Sequence, residues 1–347
     1  MKNILEQMQE RRFEEIHFHY DDQTGLKSII AIHNTKRGPA LGGCRFYPYA
    51  SEEDGLKDVM NLAQAMTYKA ALAGLALGGG KSIIFGDPKK EKNEAILEAF
   101  AQFVDRLGGQ YITSVDSGTT PHDLDIFLRR TKYVTGFTPE FGGAGDPSPV
   151  TALGVFEGIR ACAKYVFGTD DLKGRTIAIQ GVGNVGESLA HMLKNAGAVL
   201  ALSDRDDEKA KTLAASLNAK YVTADKILEE PCDILAPCAM GGVVHDGNIN
   251  KLNCKVIAGA ANNPLASMEV AEKLHQMGIV YAPDFAINAG GLIHVAQELK
   301  GYDPMKVEKK TKEIYSTIEK IITRAKKENT ATAMIARKMA KEILDNS

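Results

Sequence analysis

The alternation of apolar and polar positions divides the chain into two stretches of different rhythm. In the first, FEEIHFHYDDQTGLKSIIAIHN alternates on either side of Asp21-Asp22-Gln23-Thr24-Gly25, the pattern of two strands joined by a turn. Ser51-Glu52-Glu53-Asp54 resembles a capping box. Behind it, Leu56, Val59, Met60, Ala63, Met66 and Ala70 recur at helical spacing, which predicts a long helix with Lys69 near its end. From about residue 174 the rhythm becomes strand, helix, strand. RTIAIQ, AVLALSD, CDILAP, CKVIAGA and GIVYAP are short apolar runs separated by helical patterns, the signature of a parallel sheet covered on both faces. After Asp303 the chain is helical, with Ile314, Ile318, Ile321, Ile322 and Ala325 on one side and alternating lysines and glutamates on a solvated face. An α/β fold of two domains is therefore expected. The first, residues 1–135, mixes strands and helices. The second, residues 136–328, is a doubly wound sheet, and a final helix at about 329–347 is expected to pack back on the first domain. The active cleft is expected between the two, joined by the glycine- and proline-rich residues 136–151.

Composition narrows the partners. A net charge of -2 with 44% hydrophobic and 25% charged residues over 347 residues fits two ordinary globular domains, and no basic excess points to nucleic acid. The N-terminal MKNILEQMQERRFEEIHFHY has charges throughout and neither an apolar core nor a small-residue cleavage site, so it is not read as a signal peptide. No apolar run reaches the ~18 residues of a membrane helix. The five cysteines (Cys44, Cys162, Cys232, Cys238 and Cys254) form no C-x-x-C pair, which predicts free thiols in a reducing compartment and a cytoplasmic protein. His17 and His19 share a strand face without a visible third ligand, so no metal site is expected.

Gly181-Val182-Gly183-Asn184-Val185-Gly186 matches G-x-G-x-x-G, and its context makes the match informative. It follows a predicted strand, opens a predicted helix and precedes a second strand that ends in Asp204, about 20 residues on. In such a turn the first glycine permits the tight bend, the second lets backbone approach a pyrophosphate and the third lets helix pack on strand. The helix N-terminus supplies amides and positive potential. Asp204 suits a ribose 2′-hydroxyl and repels a 2′-phosphate, which favours NAD over NADP, although Arg205 beside it is the residue type that holds the phosphate.

A second glycine-rich stretch, GLALGGGKSII at residues 74–84, invites comparison with the phosphate cradle G-x-x-x-x-G-K-[ST]. The spacing fails, because that motif needs a glycine where this chain has Leu75. The context fails too, because Lys81 runs into the strand-like Ser82-Ile83-Ile84-Phe85 instead of a helix. A phosphotransferase is thus disfavoured. Lys69 and Lys81, linked by small and apolar residues, are instead candidates for acid–base chemistry, since burial or a neighbouring cation brings a lysine towards the range of a useful base. Asp116, just after the predicted strand in YITSVDSGTTPHD, is a candidate partner.

Around these residues TYKAALAGLALGGGKSIIFGDP resembles the active-site segment of the glutamate/leucine/phenylalanine/valine dehydrogenase family, whose members oxidatively deaminate L-amino acids. GPALGGCRFYPY, DSGTTPHDLD, GDPSPVTALGV, GVGNVG, LAPCA, IAGAANN and INAGGLIHVAQEL extend the likeness over nearly the whole chain. The resemblance implies that Lys81 is the general base, that Asp116 assists proton transfer and that Lys69 binds the substrate α-carboxylate. It places Leu41, Gly42, Ser114, Asn262, Leu292 and Val295 around the substrate. It places Gly181, Gly183, Asn184, Val185, Gly186, Asp204, Arg205, Thr151, Ala239, Asn262 and Asn288 around NAD. It further implies a homo-oligomer. Family members acting on glutamate carry P-x-K-G-G where this chain has Pro39-Ala40-Leu41-Gly42-Gly43, so a branched aliphatic substrate (leucine, isoleucine or valine) is expected. An aromatic substrate and a non-catalytic NAD-binding regulator are the alternatives. Retention of Lys69, Lys81 and Asp116 together disfavours the regulator.

Overall fold

The computed structural model describes residues 3–347, which form two compact units. Of the described residues, unit 1 comprises 3–145, 294–302 and 342–347, and unit 2 comprises 146–293 and 303–341. Unit 1 carries β1 (Glu15–Tyr20), β2 (Lys27–Asn34), β3 (Ala40–Tyr47), β4 (Gly78–Phe85) and β5 (Tyr111–Val115) in the order β1-β2-β4-β3-β5. The first hairpin and the β2–β4 pair are antiparallel, whereas β3 runs parallel to both β4 and β5. The helix Glu52–Leu72 covers one face, where Leu56, Val59, Met60 and Ala63 meet Ile29, Ala31 and Ile83. The helix Glu94–Asp105 covers the other, where Leu97, Phe100 and Val104 join Ile30, Phe46 and Ile84. Because side chains alternate along a strand, Lys81 shares the Ile83 face with the long helix.

The three glycines before Lys81 lie inside β4, where Gly78 and Gly79 let neighbouring backbone approach and Gly80 makes room for the Tyr111 ring. A Cβ on Gly79 would sit 2.0 Å from the Thr67 amide nitrogen of the covering helix, and one on Gly42 would sit 1.8 Å from the Gly80 carbonyl oxygen. A Gly79→Ala variant should therefore force the long helix off the sheet. The expected cost lies at the upper end of the ~1–3 kcal/mol of core overpacking, and a calorimetric melting temperature lower by roughly 6–12 °C would register it.

Unit 2 carries β6 (Thr176–Gln180), β7 (Val199–Ser203), β8 (Lys220–Tyr221), β9 (Ile234–Pro237), β10 (Val256–Ile257) and β11 (Val280–Tyr281) in the order β11-β10-β9-β6-β7-β8, all parallel. The order reverses at β6, the doubly wound arrangement that places a ligand crevice outside the carboxyl ends of the strands.

The division of the chain differs from the expected boundary at residue 135. Residues 136–145 belong to unit 1 because the Glu298 carboxylate accepts from Gly136 N at 2.7 Å and Ala144 N at 2.8 Å. His294, four residues before Glu298, is buried beside Gly145 O (3.3 Å) and the Tyr302 hydroxyl (3.1 Å). The final helix also divides. Ala331 and Ala333 pack into the core of unit 2, and only residues 342–347 join unit 1, where Lys36 donates to Leu344 O and Arg37 to Ser347 Oγ. Among the described residues no helix is long and apolar enough to cross a membrane.

Candidate active site and dinucleotide turn

Lys81 is only 4% exposed, and its ammonium donates to Asp116 Oδ2. The approach of Asp116 depends on Gly43. A Cβ there would lie 2.3 Å from Val115 O and 2.9 Å from the Asp116 Cβ, so any side chain would push the carboxylate away. The second carboxylate oxygen accepts from Arg45 Nε at 2.9 Å. Arg45 Nη1 then reaches Asp58 Oδ2 at 2.8 Å, and the Tyr49 hydroxyl donates to that same oxygen at 2.5 Å. Lys81, Asp116, Arg45, Asp58 and Tyr49 thus form one chain of alternating charge with a phenol at its end. Burial alone would raise the Asp116 carboxyl, but the adjacent Lys81 and Arg45 cations outweigh it and hold the group well below the usual carboxylate range. Burial opposes the charge on Arg45 as well, and Asp116 and Asp58 overcome it, so the guanidinium binds its proton more tightly than usual.

Strand register places the remaining unit 1 candidates. Leu41 pairs with Gly79 and Ile112, and Gly43 pairs with Ser114, so Leu41, Ser114 and Arg45 share the Lys81 face. Leu41 is 1% exposed and Ser114 is buried. Lys69 is half-buried in the last turn of the long helix. Gly42 lies between Leu41 and Gly43 on the same strand. Its missing Cβ points to the opposite face, closed by Gly80 O, and its carbonyl accepts from the Tyr111 hydroxyl at 2.5 Å. The physical reason is the two-residue period, which sends Gly42 away from the face that Leu41 and Gly43 occupy. Val295 belongs to the returning segment of unit 1 and Leu292 to unit 2, and both are buried.

The dinucleotide candidates lie in unit 2. Gly181 has φ +95°, a left-handed conformation open to glycine, and a Cβ there would also meet the Ala239 Cβ at 2.6 Å. A Cβ on Gly186 would strike Gly181 O at 2.0 Å, which is the close helix-to-strand contact the motif requires. A Cβ on Gly183, by contrast, would meet nothing within 4 Å. Gly183 caps the helix Asn184–Asn195 with no side-chain hydrogen bond, leaving the amides of Asn184 and Val185 in its first turn. Asp204 Oδ2 accepts from Val182 N at 2.7 Å and Oδ1 from Asp206 N at 3.1 Å. Burial would raise the Asp204 carboxyl, but backbone amides of Asp206, Val182 and Arg205 lower it, so it stands ionised at the end of β7. Arg205 is exposed. The Thr151 hydroxyl donates to Pro147 O at 3.0 Å. Asn288 Nδ2 donates to Asn262 Oδ1 at 2.8 Å and to Ala260 O at 3.0 Å, while its own Oδ1 is buried without a partner. Free space above Gly183, an ionised acid at the next strand end and an orphaned amide oxygen are the features a dinucleotide with a ribose diol and a carboxamide fits.

Arg45, Asp58 and Tyr49 were not apparent as site residues from the sequence pattern. Arg45 carries a signal in hindsight, as the one charge within the mostly buried strand ALGGCRFY. Asp58 and Tyr49 carry none, because their proximity to Arg45 exists only once the long helix has docked.

A family model described as Glu/Leu/Phe/Val dehydrogenase, dimerisation domain, matches residues 10–133. A second, described as Glutamate/Leucine/Phenylalanine/Valine dehydrogenase, matches residues 142–209 and 205–344. A leucine dehydrogenase from Geobacillus stearothermophilus is 48% identical over 342 residues, covering 99% of this chain and 93% of the relative. A phenylalanine dehydrogenase from Thermoactinomyces intermedius is 45% identical over 346 residues, covering 99% and 94%. Among solved structures, L-tryptophan dehydrogenase from Nostoc punctiforme superposes with a TM-score of 0.88 at 39% identity, over 99% of this chain and 98% of that one.

Proposed function

The chain belongs to the Glu/Leu/Phe/Val dehydrogenase family, and from that premise we propose that it catalyses the reversible NAD-dependent oxidative deamination of branched-chain L-amino acids to 2-oxo acids and ammonia. The observation that carries this reading is the buried Lys81–Asp116 pair with Leu41 on the same face of the sheet. The family's members depend on a nicotinamide dinucleotide, which when bound accepts the hydride from the substrate Cα. Asn184, Val185 and the glycines of their turn would hold its pyrophosphate, Asp204 its ribose, and Asn262, Asn288, Thr151 and Ala239 would lie about its nicotinamide end.

The chain's own residues supply the rest. Lys81 Nζ takes a proton from the substrate ammonium, freeing the nitrogen lone pair, and releases it to solvent; it then takes a proton from the water that attacks the iminium carbon and returns it to the amino nitrogen, which leaves as ammonia while the new hydroxyl loses its proton to solvent. Asp116 fixes Lys81 in place and stays ionised while the proton moves. Lys69 pairs with the α-carboxylate, a charge-assisted contact made equally in ground and transition states. Lys69→Ala should accordingly raise KM for the amino acid by at least ~10-fold with a smaller change in kcat, and steady-state kinetics at saturating dinucleotide would show it. Asp204 repels a 2′-phosphate, so kcat/KM for NAD should exceed that for NADP by at least ~10². Equal values would transfer the choice of cofactor to Arg205.

A homo-oligomer is proposed from the family description of residues 10–133 as a dimerisation domain, and a cytoplasmic location from the five free thiols among the described residues. The test of the whole reading is reduction of NAD by the purified protein in the presence of L-leucine. No reduction with any L-amino acid would overturn it.

A further inference from the structure

A base that sits on a carboxylate faces a conflict. Asp116 orients Lys81, yet its charge also stabilises the ammonium and so opposes the proton uptake required of it. The arrangement around Asp116 resolves this, because the carboxylate is shared. Its Oδ2 faces Lys81 and its Oδ1 faces Arg45, and a guanidinium does not deprotonate in a protein. Arg45 is in turn fixed by Asp58, whose Oδ2 also accepts from the Tyr49 hydroxyl, and the Tyr49 ring packs edge-on against Phe85 at 5.6 Å.

We propose that Arg45 is a positioning residue which, by sharing Asp116, offsets the carboxylate's hold on the Lys81 proton and lets Lys81 act as a base, with Asp58 moderating the offset. This rests on the deaminase reading above. The proton leaves the substrate nitrogen for the Lys81 Nζ lone pair, one N–H bond breaking as another forms, while Asp116 stays ionised and Arg45 keeps its protons.

Other titratable groups stand on the elements packed against β4. The long helix brings Lys69 and Tyr68, and β3 brings Cys44, a buried thiol pushed up to about 12 and therefore uncharged. His33 on β2 is held by Thr67 Oγ1 at 2.8 Å, and Tyr111 on β5 by Gly42 O. Asp123 is paired with Lys92 at 2.8 Å. None of these interposes a charge between Arg45 and Asp116, which are in direct contact.

The test uses opposite charge changes at two linked positions. In Arg45→Gln, Asp116 faces Lys81 alone, so the rising limb of kcat for deamination should move to higher pH by at least ~1 unit. In Asp58→Asn, Arg45 is relieved of its counter-charge and the limb should move to lower pH, by a smaller ~0.3–0.5 unit because the lost charge lies one group further out. Arg45→Lys keeps the charge and should restore the limb while lowering kcat, since an ammonium cannot span Asp116 and Asp58 as a fork does. The same variants are titrated by NMR of isotope-labelled Lys81 without substrate or dinucleotide, and the Lys81 titration should move in the same two directions. A purely structural role for Arg45 predicts lost stability and unshifted limbs. Unshifted limbs and titrations, or shifts of the same sign in Arg45→Gln and Asp58→Asn, would overturn the proposal. If the wild-type protein deaminates no amino acid, the functional reading fails by itself, and the NMR titration still decides whether Arg45 governs the Lys81 proton.

Discussion

Replacing Lys81 with alanine should lower kcat for deamination by at least ~10², the least that a positioned base contributes, while the dissociation constant for NAD stays within about twofold. The separation of effects follows from the fold. Lys81 belongs to the sheet of unit 1, and the glycine turn, Asp204 and the Asn262–Asn288 pair all belong to unit 2. Removing one member of a buried ion pair often costs ~3–5 kcal/mol, because a charge is left without a partner. Here Asp116 keeps Arg45 at 2.9 Å, so the loss of stability should fall below that range. The fall in turnover is then assigned to chemistry and not to unfolding. Stopped-flow or steady-state reduction of NAD, fluorescence titration of NAD binding and a melting curve on the same preparation would check all three. Turnover near the wild-type value would remove Lys81 from the role of base and shift attention to Lys69.

What the sequence made legible and what it concealed follow from the range of the interactions involved. The glycine turn is legible because its demands are local. A left-handed φ at Gly181 and backbone contact at Gly186 both arise within one strand-turn-helix unit, and the acid at the end of the next strand falls at a fixed distance. Asp116 is legible because it follows an apolar strand directly. The three glycines of β4 are harder. Their number suggests a loop, yet they are strand residues whose lost side chains admit the backbone of Thr67 and neighbouring strands, a tertiary requirement that no local pattern encodes. Gly42 shows the same limit in reverse. It adjoins two residues of the Lys81 face and itself faces the other way, because one step along a strand reverses the side. The Arg45–Asp58–Tyr49 chain depends on a helix docking over a sheet, and the assignment of residues 136–145 to unit 1 depends on Glu298, more than 150 residues further along. Such long-range pairings leave no periodic trace.

Leucine, isoleucine and valine should be good substrates and glutamate a very poor one, with kcat/KM for glutamate lower than for leucine by at least ~10³. The argument starts from Leu41, which is 1% exposed on the face that carries Lys81, with Gly79 and Ile112 as its register partners. A substrate whose amine reaches Lys81 brings its side chain towards that apolar surface if Leu41 lines the site as proposed. A second carboxylate would lose its hydration there and gain no cation, a penalty of several kcal/mol. Among the aliphatic substrates the differences should be modest, since one methylene in an apolar pocket is worth ~1–3 kcal/mol. Phenylalanine tests the size of the site. The relatives include a phenylalanine dehydrogenase at 45% identity, so the fold admits an aromatic ring elsewhere in the family. In this chain Val295, buried in unit 1 with Leu41, is a branched residue proposed to narrow the site, while Ser114, Gly43 and Gly79 are small residues on the Lys81 face. Values of kcat/KM for leucine, valine, phenylalanine and glutamate at one pH and saturating NAD decide the matter. Phenylalanine at or above leucine would reject the aliphatic assignment and point to the space beside Ser114. A preference for glutamate would mean that Leu41 does not face the substrate side chain at all, and that a cation elsewhere in the chain meets its second carboxylate.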